Sequence, residues 1–515
     1  MSTPLLRLFT LSRRTFADSG TVQINSKLSL LGNMSFENQE NQTNQVTSPK
    51  ASSNKTESHN PVQCRLSEMF STEPKPKKIK PNPTKESNFK TTKCCNLNDL
   101  RYGTSYKICM AEECRIPPGA KYMCSKAEVG KEVQNYCLKC FEDADLDVND
   151  WEQKENTNPA LEEIEECGIC RELFHRVCEL NIRSKSSFIC TTCSPLRLLN
   201  MMREVGTVNK DACAKFMTKK LNEFIVANNQ EKRHQQPVTV VSFSEQKEVD
   251  TSEMCPELDA SDFTTKYSET VKFVYRAIYV YYRIDGIDVP FFSMFVSEYP
   301  SHAGQSWCII NYLDTVPYFK SEGIKRGAMH GEIILTYIDY MKSIGYENAH
   351  IWSNPPEQGN DYIFNLHPDY QKVPGSKWIE RLKGKDDGII QSFKTFEEKM
   401  GENAFKSCVD IPIFPESLWS NVMIEANFET SYKKCFMKKL QVLYKKHAVD
   451  NFWINLNKSS GPQPTIPALY PHSIMGDRMM FLDKCAEMNL EFSTLRRAKF
   501  SSVYLIELMH DADYF

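Results

Sequence analysis

The stretch VKFVYRAIYVYYRIDGIDVPFFSMFVSEYP, residues 271–300, decides the fold. Val271 to Arg283 is rich in β-branched and aromatic residues, the types that suit a pleated, half-buried surface. Asp285-Gly286 follows as a turn, because Gly accepts the positive φ that a tight hairpin needs, and Val289 to Tyr299 reads as the returning strand. Working outward, Trp307 to Leu313 (WCIINYL) is a third strand. Ala328 to Ile344 is a helix whose Ile334, Tyr337, Ile338, Met341 and Ile344 share a face at 3.6-residue spacing, with Gly345 placed to end it. Ala349 to Trp352 (AHIW) is a short buried strand running into Pro355-Pro356. This order predicts an α+β domain over residues 236–515, a mixed central sheet flanked by helices, long enough for one large core.

The rest of the chain differs in kind. With 515 residues there is room for about three domains. Residues 1–92 contain five Phe and no Tyr or Trp, and 38–60 is rich in Asn, Gln, Ser, Thr and Lys, a composition that buries too little apolar surface to offset chain entropy. A disordered N-terminal region is expected there, in keeping with a mean hydropathy of −0.48. Lys75, Lys77, Lys78 and Lys80 resemble a short nuclear-localisation patch, although a solvated charge run reads the same way. Arg7, Arg13 and Arg14, with no acid before Asp18, give the start a mild transit-peptide character, but its apolar run is short and interrupted. Residues 196–235 are polar and helix-compatible from Leu196 to Asn228, and read as a connector.

The charge balance, 63 Lys+Arg against 66 Asp+Glu for a net −3, provides no global basic field, so direct DNA binding is not indicated. No window approaches 18 uninterrupted apolar residues, so no membrane helix is expected.

Of the 19 cysteines, 12 lie between Cys94 and Cys193. Clustered thiols without a convincing secretory leader point to zinc rather than disulfides. Cys137-x-x-Cys140, Cys167-x-x-Cys170, His175-x-x-Cys178 and Cys190-x-x-Cys193 occur in sequence, with Cys109 and Cys114 upstream. Two ligands separated by two residues in a tight turn can both reach one tetrahedral Zn²⁺ at about 2.3 Å, and a site closed by four ligands holds a small domain together with no position left for catalysis. The order Cys-Cys, His-Cys, Cys-Cys resembles the second half of a plant-homeodomain (PHD) finger, a cross-braced module around two metals, here within residues 93–195. How Cys94, Cys95, Cys109, Cys114 and Cys124 complete the sites is open at this stage, and no aromatic cage for methyl-lysine is visible.

Three further segments carry a resemblance: NYLDTVPYF (311–319), GYENAHIWSNPPEQGNDYIFNLHPDYQKVP (345–374) and LEFSTLRRAKF (490–500). Together they resemble the catalytic domain of the CREB-binding-protein family of lysine acetyltransferases. The similarity extends back through RIDGIDVPFFSMFVSEYP and the cysteine-rich region, where the family carries a RING-like insertion within a PHD finger. It covers about residues 93–515. The family's bromodomain is not found before the cysteines, its lysine-rich autoacetylated loop is missing or shortened, and a ubiquitin-ligase reading of the RING-like part fits poorly because its ligands look incomplete for two metals.

The resemblance implies a histone and protein lysine acetyltransferase that uses acetyl-CoA, with structural Zn²⁺, acting in the nucleus as a transcriptional coactivator. Its implied partners are histones, other lysine-bearing nuclear proteins, transcription factors and chromatin. It places acetyl-CoA along Leu313, Asp314 and Thr315, a phosphate-contacting arginine at Arg326, and Gly327 where the family has a hydroxyl. Val373 matches a residue packed on the cofactor, and Trp352 an aromatic that shapes the lysine tunnel. After QKVP the family has a cofactor-binding arginine and then a Trp-Tyr pair whose tyrosine is the proposed general acid. Ungapped alignment puts Trp378 at the arginine, Leu382 at the tryptophan and Lys383 at the tyrosine, with no other tyrosine between Tyr370 and Tyr432. Loss of a general acid typically costs about 10²–10⁴-fold. A second reading therefore stands beside the enzyme, a catalytically impaired pseudo-acetyltransferase serving as a chromatin or transcription-factor scaffold. Glu298, Asp314, Glu357, Asp361 and Asp369 are acidic residues that could receive the basic flank of a histone tail, although ordinary surface charge explains most such residues.

Overall fold

The computed structural model describes residues 91–110, 115–126, 134–144, 146–183, 187–197, 203–208, 211–228, 236–251, 267–302, 304–352, 361–371, 392–395, 414, 442–443, 451–456 and 464–510. The expected disordered region therefore lies almost wholly outside the described residues, as do Cys114, Val373, Trp378, Leu382, Lys383 and the side chain of Trp352.

A seven-stranded mixed sheet forms the centre of the larger part. Its strands are β1 (Val238–Asp250), β2 (Thr270–Ile284), β3 (Ile287–His302), β4 (Gln305–Thr315), β5 (Asn348–Trp352), β6 (Ser392–Thr395) and β7 (Asn451–Asn455), in the spatial order β6-β7-β5-β4-β3-β2-β1. Only β4 and β5 run parallel, with Trp307 opposite Asn348 and Ile310 opposite Ile351; every other neighbouring pair is antiparallel. The hairpin turn falls at Asp285-Gly286 as expected, with φ values of 49° and 79°. Both are positive, as a two-residue loop that follows the twist of its strands requires.

Among the described residues four helices pack with the sheet: α1 (Ala212–Ala227), α2 (Arg326–Ser343), α3 (Arg478–Glu487) and α4 (Leu495–His510). Helix α2 is the crossover that makes β5 parallel to β4. It ends at Gly345 (φ 98°), where the Gly345 amide donates to the Lys342 carbonyl and the Tyr346 amide to Met341, closing the last turn with a left-handed residue. Helix α1 lies in the stretch read as a connector, yet it belongs to the core. Its Cys213, Met217, Leu221 and Ile225 form a buried stripe, and it packs on β1 and α2.

The two faces of the sheet follow from strand alternation. On β2, Arg276 faces α1 and α2, whereas Tyr279 points the other way, donating to the Met475 carbonyl and lying 5.5 Å from the Phe481 ring of α3. Arg276 is wholly buried. Its guanidinium donates to Glu298 Oε1 on β3 (2.6 Å) and Oε2 (3.1 Å), to Asp211 Oδ2 (2.9 Å) and to Ser242 Oγ on β1 (3.0 Å). Asp211 is also the N-cap of α1, accepting from the Ala214 amide, and the Tyr337 hydroxyl of α2 donates to Glu298 at 3.2 Å. Burial alone would lower the Arg276 pKa; Glu298 foremost, and Asp211, hold it well above the ordinary value. Glu298 is thus an interior counter-ion and not a surface acid for a histone tail.

Arg276→Met would leave two buried carboxylates without their cation. The expected loss is about 3–5 kcal/mol in equilibrium urea unfolding. A loss below about 1 kcal/mol would show that the network is not a fastening of the core.

Candidate functional site

The end of β4 and the segment 361–371 are joined by one carboxylate. Asp314 Oδ2 accepts from the consecutive amides of Ile363 (2.8 Å) and Phe364 (2.9 Å), and Oδ1 from the Thr315 amide (2.8 Å). His367 Nε2 lies 2.7 Å from Oδ1, and its Nδ1 lies 2.8 Å from Asp361 Oδ1. Burial lowers the His367 pKa, but Asp314 foremost and Asp361 override it and raise it to about 10. The ring is therefore an imidazolium donating to a carboxylate at each end. Gln371 Nε2 adds a bond to the Thr315 carbonyl at 2.7 Å. From the other side, Arg478 donates to the Tyr362 carbonyl (2.9 Å) and lies over the Tyr312 ring, and Asn365 exchanges bonds with Leu490 and Phe492. Asp314 and Asp361, considered as acids for a basic peptide, are instead spent internally on His367.

Among the expected cofactor residues, Leu313 and Thr315 flank Asp314 on β4, and Arg326 and Gly327 are exposed in the first turn of α2. That helix end suits an anion. Its N-cap, Lys325, makes no side-chain cap bond, and no acidic residue lies in the first turn, so the positive end of the helix dipole meets two basic side chains. A Cβ placed on Gly327 would meet nothing within 4 Å. The parallel pair brings the ends of β4 (Thr315) and β5 (Trp352) to the same side of the sheet, where α2 also begins. Two tyrosines outside the expected position can be placed. Tyr370 is 71% exposed, and Tyr318 is buried with its hydroxyl donating to the Phe492 carbonyl.

The cysteine-rich part contains three groups of convergent ligands among the described residues: Cys94, Cys95, His175 and Cys178; Cys167, Cys170, Cys190 and Cys193; and Cys109, Cys137 and Cys140. Within each group the ligand atoms lie within 4.8 Å of one another. His175 Nδ1 is 3.5 Å from Cys94 Sγ and 3.3 Å from Cys95 Sγ, and Cys170 Sγ is 3.8 Å from Cys190 Sγ. These are close to the edges of a tetrahedron with ~2.3 Å metal–sulfur bonds. Backbone amides also aim at sulfur in every group: Cys190 at Cys167 Sγ (3.3 Å), Cys137 at Cys109 Sγ (3.3 Å) and His175 at Cys94 Sγ (3.4 Å). Such donors favour thiolate, the form that binds metal. The clusters are compatible with zinc. The pairs join crosswise, 94/95 with 175/178 and 167/170 with 190/193, so the adjacent Cys94-Cys95 pair, which lacks the two-residue spacing, closes the first group. Cys124 is buried in the strand Lys121–Ser125 and belongs to none of the three groups.

This part is fastened to the larger, sheet-containing part by charge. Arg496 and Arg497 of α4 both pair with Glu162, whose side chain is 0% exposed, and Arg497 also pairs with Glu491. Arg496 Nη1 lies 3.4 Å from Cys178 Sγ, so a helix of the larger part touches a ligand of the first cluster. Gly103 donates its amide to Glu491, and a Cβ there would stand 2.6 Å from Leu366 Cδ1, so any larger residue would require the end of that leucine to shift.

Comparison with known proteins now bears on this arrangement. Residues 221–448 match the family model described as the histone acetyltransferase domain KAT3. Protein cbp-1 of Caenorhabditis elegans is 26% identical over 477 residues, 74% of this chain and 23% of that protein. Histone acetyltransferase HAC2 of Arabidopsis thaliana is 24% identical over 332 residues, 56% of this chain and 24% of that protein. Histone acetyltransferase HAC4 of the same plant is 30% identical over 165 residues, 28% of this chain and 11% of that protein. The chain thus spans a quarter or less of the length of these relatives. Fold and match together make residues 221–448 similar to the histone acetyltransferase domain KAT3. The likeness belongs to residues 221–448, less than half of the 515-residue chain.

A titration checks the Asp314–His367–Asp361 arrangement. Because the folded-state pKa of His367 is raised from 6.5 to about 10, its stabilisation is fully present below pH about 6.5 and is lost as pH rises through about 10. The melting-temperature gap between the natural chain and His367→Gln should be constant near pH 6 and close towards pH 10. A gap independent of pH would contradict the charged pairing.

Proposed function

We propose that the chain is an acetyl-CoA-dependent lysine acetyltransferase acting on histones and other lysine-bearing nuclear proteins, and that it works in the nucleus as a transcriptional coactivator on chromatin. The observation that carries this reading is the coincidence, at one end of the sheet, of β4 ending at Leu313-Asp314-Thr315 with the basic, uncapped start of α2, inside the segment that matches the KAT3 domain. In this reading Arg326, at the positive end of the α2 dipole, receives the phosphates of the cofactor, while Leu313 and Thr315 lie along its pantetheine arm. Trp352 shapes the lysine tunnel, and Val373, Trp378 and Leu382 close on the cofactor. The transfer is attack of a neutral lysine amine on the thioester carbonyl, with a proton delivered to the departing thiolate. Much of the acceleration comes from holding the two reactants together, which does not need the missing tyrosine. Lys383, at the tyrosine position, is the candidate proton donor.

The cysteine-rich part is proposed to be a RING/PHD-like module holding structural zinc. The cross-braced ligand groups and their amide-to-sulfur bonds support that assignment, and the cluster of Cys109, Cys137 and Cys140, with Cys114 as the proposed fourth ligand, would be the RING-like insertion.

A second reading, a catalytically impaired scaffold that still binds the cofactor, is favoured by one specific observation. No tyrosine occurs between Tyr370 and Tyr432, and the Tyr318 hydroxyl is committed to Phe492.

Labelled acetyl transfer from acetyl-CoA to core histones separates the two. Turnover by the natural chain, abolished in Trp352→Ala, is the expected result; activity only after Lys383→Tyr would establish the scaffold reading. Calorimetry tests the cofactor site itself. Arg326→Met should weaken coenzyme A binding by about tenfold or more while leaving pantetheine unaffected, as expected for a charge-assisted phosphate contact. Gly327→Thr, which enters open space, should tighten coenzyme A binding several-fold through one restored hydrogen bond worth about 1 kcal/mol. Metal analysis should return three zinc ions per chain. Stripping them should also lower the melting temperature of the acetyltransferase domain, because Arg496 joins Glu162 to the first cluster. An unchanged domain melt would rule out that mechanical tie.

A further inference from the structure

His367 is not among the residues that the family resemblance picks out, yet it occupies the junction between β4 and the segment that follows β5. It is the only cation described between Asp314 and Asp361, at 2.7 Å and 2.8 Å, and it is largely buried. Removing it would bring the negative charge of Asp314 to the cofactor strand without its counter-ion, directly beside Thr315, whose amide and carbonyl are both engaged at this junction. Because Asp314 also binds the amides of Ile363 and Phe364, any shift of its carboxylate moves the loop and the strand together.

We propose that His367 is a positioning residue for cofactor binding: as the bridge between Asp314 and Asp361 it fixes the backbone of Leu313–Thr315 in the conformation that receives the pantetheine arm. This rests on the acetyl-CoA reading given above. His367 contributes no proton and no contact to the reacting atoms. Its effect therefore falls on affinity for the cofactor and not on the rate at saturation.

The geometry supplies a rescue. In His367→Gln the amide nitrogen can donate to Asp314, but the amide oxygen then faces the Asp361 carboxylate. Adding Asp361→Asn replaces that repulsion with an amide donor, restoring a continuous hydrogen-bond chain that ends on the Asp314 carboxylate.

The test is calorimetric binding of coenzyme A by the full chain, with hydrogen exchange at the Thr315, Ile363 and Phe364 amides measured on the same proteins. His367→Gln is expected to weaken binding about tenfold and to speed exchange at those three amides, while the amides of β2 and β3 are unchanged. The double variant should recover most of both losses. Where turnover is measurable, the KM for acetyl-CoA should rise about tenfold with kcat within twofold of the natural value. If the natural chain binds coenzyme A and His367→Gln binds it equally well, or if Asp361→Asn fails to rescue, the positioning role is overturned. Failure of the natural chain to bind coenzyme A at all would overturn the acetyl-CoA reading together with it, and exchange protection at the three amides would then report a purely structural junction. Should His367→Gln fail to fold, Asp361→Asn alone, which keeps the ring but removes one carboxylate, must weaken binding by two- to fivefold for the proposal to stand.

Discussion

The buried Arg276 guanidinium is the interaction on which the rest of the structure depends. One cation draws Asp211 from the start of α1, Ser242 from β1 and Glu298 from β3, and Glu298 in turn receives Tyr337 from α2. A lone buried ion would be prohibitive, but charge-assisted bonds in several directions offset desolvation, and the price is strict geometry. Because the same Asp211 carboxylate caps α1, that helix cannot slide on the sheet without breaking both a cap and an ion pair. The position of α2 follows, since α1 and α2 pack on one another, and with it the position of the helix start that carries Arg326.

Much of this fold is legible in the sequence. The hairpin of β2 and β3, the third strand, the helix α2 and the short strand before Pro355 all stand within a few residues of their expected limits, because each combines a clear periodicity with a turn or cap residue. Three strands are not read. β1 carries the apolar run VTVVSF, but it sits beside a polar stretch that blurs the domain's start, and β6 and β7 are only four and five residues long, recruited from distant parts of the chain. Helix α1 shows the opposite difficulty. Its exposed face is polar enough to resemble a connector, and the stripe Cys213, Met217, Leu221 and Ile225 becomes a core only once β1 and α2 are beside it.

The site is legible unevenly, for a physical reason. Spacing identifies ligands that come in local pairs, so the Cys-x-x-Cys and His-x-x-Cys units are plain, whereas the partnering of Cys94 and Cys95 with His175 depends on contacts across 81 and 80 residues. Asp314 is found through the family motif, but its partner His367 lies 53 residues on, and nothing in HPDY by itself announces an imidazolium between two acids. Likewise, the pairing of Arg496 and Arg497 with the buried Glu162 crosses the whole length of the domain and leaves no periodic trace.

The sheet order also has a temporal meaning. From β1 to β4 each strand lies against its neighbour in sequence, so this half can assemble through short-range meander contacts as the chain emerges. Beyond β4 the order inverts: β5 waits for its crossover helix, and β7 must travel from residue 451 to enter between β5 and β6. Thr315, at the end of β4, and Trp352, at the end of β5, therefore stand on either side of the boundary between these two halves of the sheet. A ligand seated between the end of β4 and the start of α2 would lie at that boundary, and its binding would hold the two halves together.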